Sequence, residues 1–290
     1  MSQTASGVEF TTELDAAVAA AVAGGDIVGE FYDQATARTY EKGDGSPVTD
    51  ADIAADRVIR TILLERFPQI PILTEEGDDE HTRLSSNRCW IVDPVDGTEQ
   101  FIARTGEFDV LVALVDGGRP VAVAGYQPTT RTLVTATRGG GAWVKVASQP
   151  PERVVFASAG PRLRIATSKW FGAPGNARIL RGVASRLRIG QAPILSTGFS
   201  PRMFLAPRAI DVMIGVRDGE DQSMASEWDF AVADLVIAEA GGVTTDLAGR
   251  PFHYNKRIPT HNGGLVAAVS PEVHEAVLLA LRAELNYRDA

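Results

Sequence analysis

The order of residue patterns predicts an α+β architecture, with helices layered on largely antiparallel sheet, and three observations carry that prediction. Two helical patterns open the chain. Short β-rich runs then follow one another directly between residues 108 and 144. Helical patterns return only in the second half. Strands separated by nothing longer than a turn make an antiparallel meander, whereas a simple alternating βαβ array would interleave them with helices.

Val8 to Tyr32, rich in Ala, Val and Leu, predicts the first helix, although Gly24-Gly25 interrupts its middle. Glu41 to Pro47 (EKGDGSP) is a loop by its Gly, Ser and Pro content. Ile53, Ala55, Val58, Ile59, Ile62, Leu63 and Phe67 keep the spacing of a second helix. Ile70–Leu73 and Cys89–Val92 read as short apolar strands. Val110–Val115, Val121–Tyr126, Thr132–Thr137 and Ala142–Val144 form the meander, with Gly139-Gly140-Gly141 as a turn inside it. Gln149-Pro150-Pro151 is the natural join between an N-terminal α+β half, residues 1–150, and a C-terminal α/β half, residues 151–290. In the second half strands and helices alternate. Asp229 to Ala240 predicts a helix stopped by Gly241-Gly242, and Glu272 to Leu285 a terminal amphipathic one.

Lys and Arg number 28 against 37 Asp and Glu, a formal charge of −9. Such a chain does not draw a nucleic-acid polymer or an anionic membrane to itself through its overall field. An anionic substrate would need a local source of positive charge, and a bound cation is the simplest. One cysteine, Cys89, excludes an internal disulfide and any cysteine-built zinc cage. Met1 to Thr12 is polar and lacks a signal-peptide pattern, and no apolar run approaches the roughly 18 residues that span a bilayer. The expectation is a soluble, cytoplasmic protein.

Four segments carry chemistry. In Trp90 to Phe101 (WIVDPVDGTEQF) a hydrophobic strand ends at Asp93, Pro94 stops it, and Asp96-Gly97-Thr98 turns tightly. Two carboxylates three residues apart at a strand end can converge on one hard cation. Gly97 allows close backbone approach, and the Gly97 and Thr98 amides open a short helix able to meet a phosphate. In Pro47 to Asp52 (PVTDAD), Thr49-x-x-Asp52 matches a helix capping box. A carboxylate so fixed can also orient a catalytic hydroxyl. Glu75-Glu76 follows an apolar strand directly, and Glu227-Trp228-Asp229 precedes a long apolar helix, where the helix dipole alone would favour acids. A bare Asp-x-x-Asp-Gly, like each of the other three segments, has an ordinary structural explanation by itself. The whole string WIVDPVDGTEQF is much harder to explain as a capped turn.

Together, in this order, the four segments resemble the signature of the inositol monophosphatase superfamily. The resemblance runs from Lys42 to Gly242. It implies a layered αβαβα sandwich and a homodimer of Mg²⁺-dependent phosphomonoesterases binding two to three ions. It also implies roles residue by residue. Glu75, Asp93 and the Val95 carbonyl would hold a first ion, and Asp93, Asp96 and Asp229 a second. Glu75 would help a third, with Glu76 beside it. Thr98, oriented by Asp52, would activate water together with Glu75, and the amides of Gly97 and Thr98 would grip the phosphate. Lys42 lies near the position of a family lysine. Lithium inhibition is implied as well, by competition at a Mg²⁺ site.

Within the superfamily, Lys42 to Ala55 (KGDGSPVTDADIAA) and Gly106-Glu107-Phe108 look most similar to the 3′(2′),5′-bisphosphate nucleotidase branch, which acts on 3′-phosphoadenosine 5′-phosphate. Gly198-Phe199-Ser200-Pro201-Arg202 resembles a Gly-x-Ser-x-Lys stretch of that branch, so Arg202 is a candidate contact for a second phosphate. Gly215 to Ser226 (GVRDGEDQSMAS) departs from the branch in length and acidity, which keeps inositol-1-monophosphatase and histidinol-phosphatase open. Trp170 and Phe171 are candidates to stack on a base, or else packing residues. A phosphometabolite-binding protein without turnover is the non-enzymatic alternative. The intact set of candidate ligands and Thr98 argue against it. His81, His253, His261 and His274 lack metal-ligand spacing, and no Gly-x-Ser-x-Gly elbow occurs.

Overall fold

The computed structural model describes residues 9–43, 45–79, 81–156, 162–168, 174–187, 194–196, 200–205, 210–215 and 223–286. In chain order the elements are α1 (Thr11–Gln34), β1 (Thr39–Glu41), β2 (Pro47–Thr49), α2 (Asp50–Arg66), β3 (Ile72–Thr74), β4 (Arg88–Asp96), α3 (Thr98–Ile102), β5 (Asp109–Asp116), β6 (Arg119–Gln127), β7 (Thr132–Thr137), β8 (Gly141–Val146) and β9 (Glu152–Val154). They continue with β10 (Ile165–Ser168), α4 (Pro174–Arg186), β11 (Ile194–Ser196), β12 (Val212–Gly215), β13 (Ser223–Ser226), α5 (Glu227–Glu239), β14 (Val243–Thr245), β15 (Thr260–Asn262), β16 (Leu265–Ala268) and α6 (Pro271–Asn286).

Two sheets organise the molecule. The larger runs in spatial order β3 to β9. Its β3–β4 pair is parallel and every other neighbour antiparallel, so the expected meander is present. The strand β9 adds to its edge beyond the Pro150-Pro151 pair. A five-stranded sheet in the order β11-β10-β12-β16-β14 forms from the second half.

The alternation of side chains along each strand sorts the core into three apolar layers. Trp90, Val92, Val110 and Val112 face α1 and α2, joining Ala17, Ala21, Ile59 and Leu63. Cys89, Ile91, Leu111 and Ala113 face the opposite way, onto Phe230, Ala233, Val236 and Ile237 of α5, and residues of the second sheet such as Met213 and Ala267 close over that helix. The far face of the second sheet, with Val212, Ile214 and Val266, is covered by α4 and α6 through Ile179, Val183 and Leu281. The result is the five-layer αβαβα sandwich. Every residue from Phe230 to Ile237 is buried, as a helix lying between two sheets requires.

Gly24-Gly25, the weak point of the first helical pattern, marks a crossing. A β-carbon on Gly24 would come within 2.7 Å of Ile59, and one on Gly25 within 2.3 Å of the Tyr126 ring. Glycine's cost in helix propensity is offset by the close approach of α1 to α2 and to the sheet. A second departure concerns β4. Sequence reasoning ends that strand at Asp93, but pairing with β5 continues to Asp96, with a register shift between Asp93 and Asp96. Pro94 therefore sits within a bulge, where its missing N–H breaks no ladder bond and where the strand is re-aimed. Among the described residues no helix is long and apolar enough to cross a membrane.

Candidate active site

The bulge in β4 is what assembles the site. It leaves Asp93 buried on the α5 side of the sheet and turns Asp96 toward the same region, where the first turn of α5 brings Asp229. One carboxylate oxygen from each of Asp93, Asp96 and Asp229 lies within 4.8 Å of the others. Asp93 Oδ1 accepts the Val95 N–H at 3.0 Å, which fixes the bend, and Asp229 Oδ2 accepts the Ser226 N–H at 2.7 Å as a helix cap. All the donors are hard oxygens, the set a small divalent cation prefers and a poor one for zinc. No other cluster of metal-ligating side chains of this kind occurs among the described residues.

Electrostatics says the same. Burial raises the Asp93 pKa well above the ordinary carboxylate range, and the charges of Glu75, Asp96 and Asp229 add to it. Asp96 is raised by burial, then by Asp229, Asp109 and Glu75. Asp229 is pushed up to about 7 by burial and by Glu75. Four acids in one cleft repel each other unless protons or a cation intervene. Carboxyls that hold protons more tightly folded than unfolded stabilise the fold at low pH, and that contribution is lost as pH rises from the unfolded pKa through the folded one. In chelator, the melting temperature is therefore expected to fall between about pH 5 and pH 7.5, and added Mg²⁺ to restore more at the upper end. Scanning calorimetry with and without Mg²⁺ checks this; a metal increment independent of pH would sink it.

Thr98 begins α3, with Gly97 before it in the left-handed region at φ 95°. A β-carbon there would meet the Glu107 carbonyl at 3.0 Å, so both torsion and space require glycine. The Thr98 hydroxyl donates to Asp52 Oδ1 at 2.9 Å and also lies 3.2 Å from the Val95 carbonyl. The other oxygen of Asp52 accepts the Thr49 N–H at 2.9 Å and the Thr49 hydroxyl, completing the capping box at the start of α2. Cap and orienting group are thus the same side chain, one oxygen for each duty. Burial raises the Asp52 pKa, and its hydrogen bonds to Thr49 and Thr98 oppose that.

Glu75 leaves the end of β3 with its N–H on the Val92 carbonyl at 3.2 Å. Its carboxylate and that of Glu76 receive Lys42 Nζ at 2.7 and 2.8 Å. Burial pushes Glu76 up to about 7 against the pull of Lys42. The lysine itself is raised, since the two carboxylates outweigh its own burial. Arg202 sits in a 3₁₀ turn, Pro201–Phe204, with its guanidinium on Asp109 at 2.8 Å and on Gln127 at 2.8 Å. Gly198, Phe199, Trp170, Phe171 and residues 216–222 lie outside the described residues.

Some participants escape sequence reasoning. Asp109 opens β5 directly across from Asp96. An acid at the first position of a strand whose next six residues are all buried is the signal that could have found it. Asp56, four residues after Asp52 and so on the same helix face, accepts the Thr74 hydroxyl at 2.6 Å and anchors the end of β3 that carries Glu75. Farther out, the buried Arg83 donates to Asp79, to Asn255 Oδ1 at 2.7 Å and to the Lys256 carbonyl at 2.8 Å. The fully buried Glu227 accepts the N–H groups of Asn255 and Lys256 at 2.6 and 3.0 Å. The loop after Glu75-Glu76 is thereby tied to the first turn of α5.

Known proteins resemble this chain over most of its length. The 3′(2′),5′-bisphosphate nucleotidase CysQ of Aggregatibacter actinomycetemcomitans is 31% identical over 247 residues, covering 83% of this chain and 87% of that protein. The Nus factor SuhB of Salmonella typhimurium is 32% identical over 288 residues, covering 94% and 97%. Among solved structures, CysQ from Bacteroides thetaiotaomicron superposes with a TM-score of 0.73 at 28% identity, covering 90% of this chain and 98% of that one. The sequence profile of the inositol monophosphatase family matches residues 9–286. With the sandwich, the three converging aspartates and the whole-length match in agreement, the chain belongs to the inositol monophosphatase family.

Proposed function

We propose that this chain is a Mg²⁺-dependent phosphomonoesterase that hydrolyses a small phosphorylated metabolite by attack of water. The observation that carries the proposal is the convergence of Asp93, Asp96 and Asp229 beside the hydrogen-bonded pair Thr98 and Asp52. Two to three Mg²⁺ ions, held by Glu75, Asp93, Asp96, Asp229 and the Val95 carbonyl, would neutralise the phosphate, lower the pKa of water and stabilise the departing alkoxide. Asp52 takes the Thr98 proton into its hydrogen bond, so the threonine oxygen can only accept from a water beside it. Glu75 is the second acceptor for that water, and the Gly97 and Thr98 amides orient the phosphate for in-line attack. No protein nucleophile takes part, so no phospho-enzyme forms. The protein acts in the cytoplasm as a homodimer, on a small metabolite and not on a nucleic-acid polymer or a membrane.

Likeness to the CysQ proteins supports 3′-phosphoadenosine 5′-phosphate as the substrate, with Arg202 near its second phosphate. A second reading, inositol 1-phosphate or histidinol phosphate, is favoured by one observation: the Arg202 charge is already engaged by Asp109. The test is phosphate release from 3′-phosphoadenosine 5′-phosphate, inositol 1-phosphate and histidinol phosphate, with Mg²⁺ and with chelator. A Mg²⁺-dependent preference for the nucleotide supports the first reading, and a preference for either monophosphate the second. Release from none of them would overturn the enzymatic proposal.

A further inference from the structure

We infer that Asp109 is a specificity-determining residue that attenuates recognition of a second phosphate, by holding the Arg202 guanidinium in a nearly neutral pair at the edge of the site. The inference rests on the phosphatase reading and concerns which phosphorylated alcohols the same site prefers.

The pair is built, not incidental. Arg202 Nε lies 3.0 Å from Asp109 Oδ1 and Nη2 lies 2.8 Å from Oδ2, the bidentate fork that matches guanidinium to carboxylate. The Ser200 hydroxyl donates to the same Asp109 oxygen at 3.2 Å and also caps the turn that carries Arg202. Arg202 Nη1 donates to Gln127 Oε1, and Gln127 is fixed in that orientation by its amide on the Gly106 carbonyl at 3.1 Å and by the Thr130 hydroxyl. What remains is one N–H on each Nη. The Asp109 side chain is only 6% exposed, so water screens its pairing little, whereas Arg202 is 26% exposed and keeps contact with solvent.

The position relative to the aspartate cluster gives the pair its meaning. Asp109 stands across from Asp96 in the β4–β5 register, immediately past the bulge. A free guanidinium here would meet a second phosphate with a full charge. Paired to Asp109, it offers neutral-like donors, about half as strong as charge-assisted ones.

Adenosine 3′,5′-bisphosphate and adenosine 3′-monophosphate share the scissile bond and differ only in the second phosphate. The ratio of their kcat/KM values cancels any change in the metal cluster itself. Asp109→Asn is expected to raise that ratio, bisphosphate over monophosphate, by about tenfold, with Asp109→Ser giving the same direction should the amide disturb folding. In Asp109→Asn with Arg202→Gln the rise is expected to disappear. An unchanged ratio in both single variants would overturn the inference. So would an equal rise in the double variant, which would assign the effect to the general field and not to Arg202. If neither nucleotide is hydrolysed, the nucleotidase reading fails, and calorimetric dissociation constants for the same pair and variants decide instead. Variants that then bind the bisphosphate no better, relative to the monophosphate, than the unaltered protein does would equally overturn it.

Discussion

Asp96→Asn is expected to lower phosphate release by roughly a thousandfold or more, and Asp229→Asn to do the same, with the fold intact in both. A metal's stabilisation of transition-state charge is worth several kcal/mol, and about 1.4 kcal/mol is a factor of ten in rate. Each substitution keeps the shape and a carbonyl acceptor but removes one negative charge from the cluster. In Asp229→Asn the amide oxygen would still cap the Ser226 N–H that Asp229 accepts at 2.7 Å, so α5 should start in the same place. Without metal, both variants are expected to melt no lower than the parent at neutral pH, because burial and mutual repulsion already raise these carboxyls. Phosphate release at controlled Mg²⁺, beside melting curves in chelator, checks both halves. Retained turnover in Asp96→Asn would remove this residue from the metal site.

Arg83→Met is expected to destabilise the fold by about 3 kcal/mol, the cost typical of breaking a buried ion pair from one side. Arg83 is only 2% exposed. Its removal leaves the Lys256 carbonyl and Asn255 Oδ1 without the donors they now have at 2.8 and 2.7 Å, and strips Asp79 of its guanidinium. Asn255 also sits at a positive φ of 60°, a conformation that asparagine adopts more readily than most residues. For a chain of this size the loss corresponds to roughly 5 °C in melting temperature. Urea unfolding gives the free energy directly, and a change under about 0.5 kcal/mol would show that the clasp adds nothing net.

How much of this was legible beforehand depended on how local each signal was. The meander, α2 and α5 announce themselves because their apolar spacing and their turns or caps lie within a few residues. Thr49-x-x-Asp52 was readable both as a capping box and as an orienting carboxylate, and the two descriptions proved to be one arrangement, since Asp52 divides its oxygens between Thr49 and Thr98. The extension of β4 through Pro94 was not readable, because proline ordinarily ends a strand and only the pairing of Asp96 with Asp109 makes this one a bulge. Asp109 and Arg83 stayed hidden for a different reason. Their partners, Arg202 and Lys256, lie 93 and 173 residues away in sequence, and no spacing rule reaches that far. Gly24-Gly25 sits between these cases: the sequence marks the pair as unusual, but only the Ile59 and Tyr126 neighbours say why.

The burial of α5 between two sheets bears on how the molecule comes together in time. That helix reaches partners far back along the chain, as when Glu239 accepts the Gly139 and Gly141 amides 100 and 98 residues away. Such long closures make for slow folding. Asp93 and Asp96 belong to the early meander and Asp229 to the late helix, so the full set of proposed cation ligands exists only after α5 has docked. A cation that binds only the docked form would hold the assembled state together and slow its unfolding, while hardly quickening the search that precedes docking. The amides of α5 would then exchange with solvent only through global opening, and a loaded site would make that opening rarer.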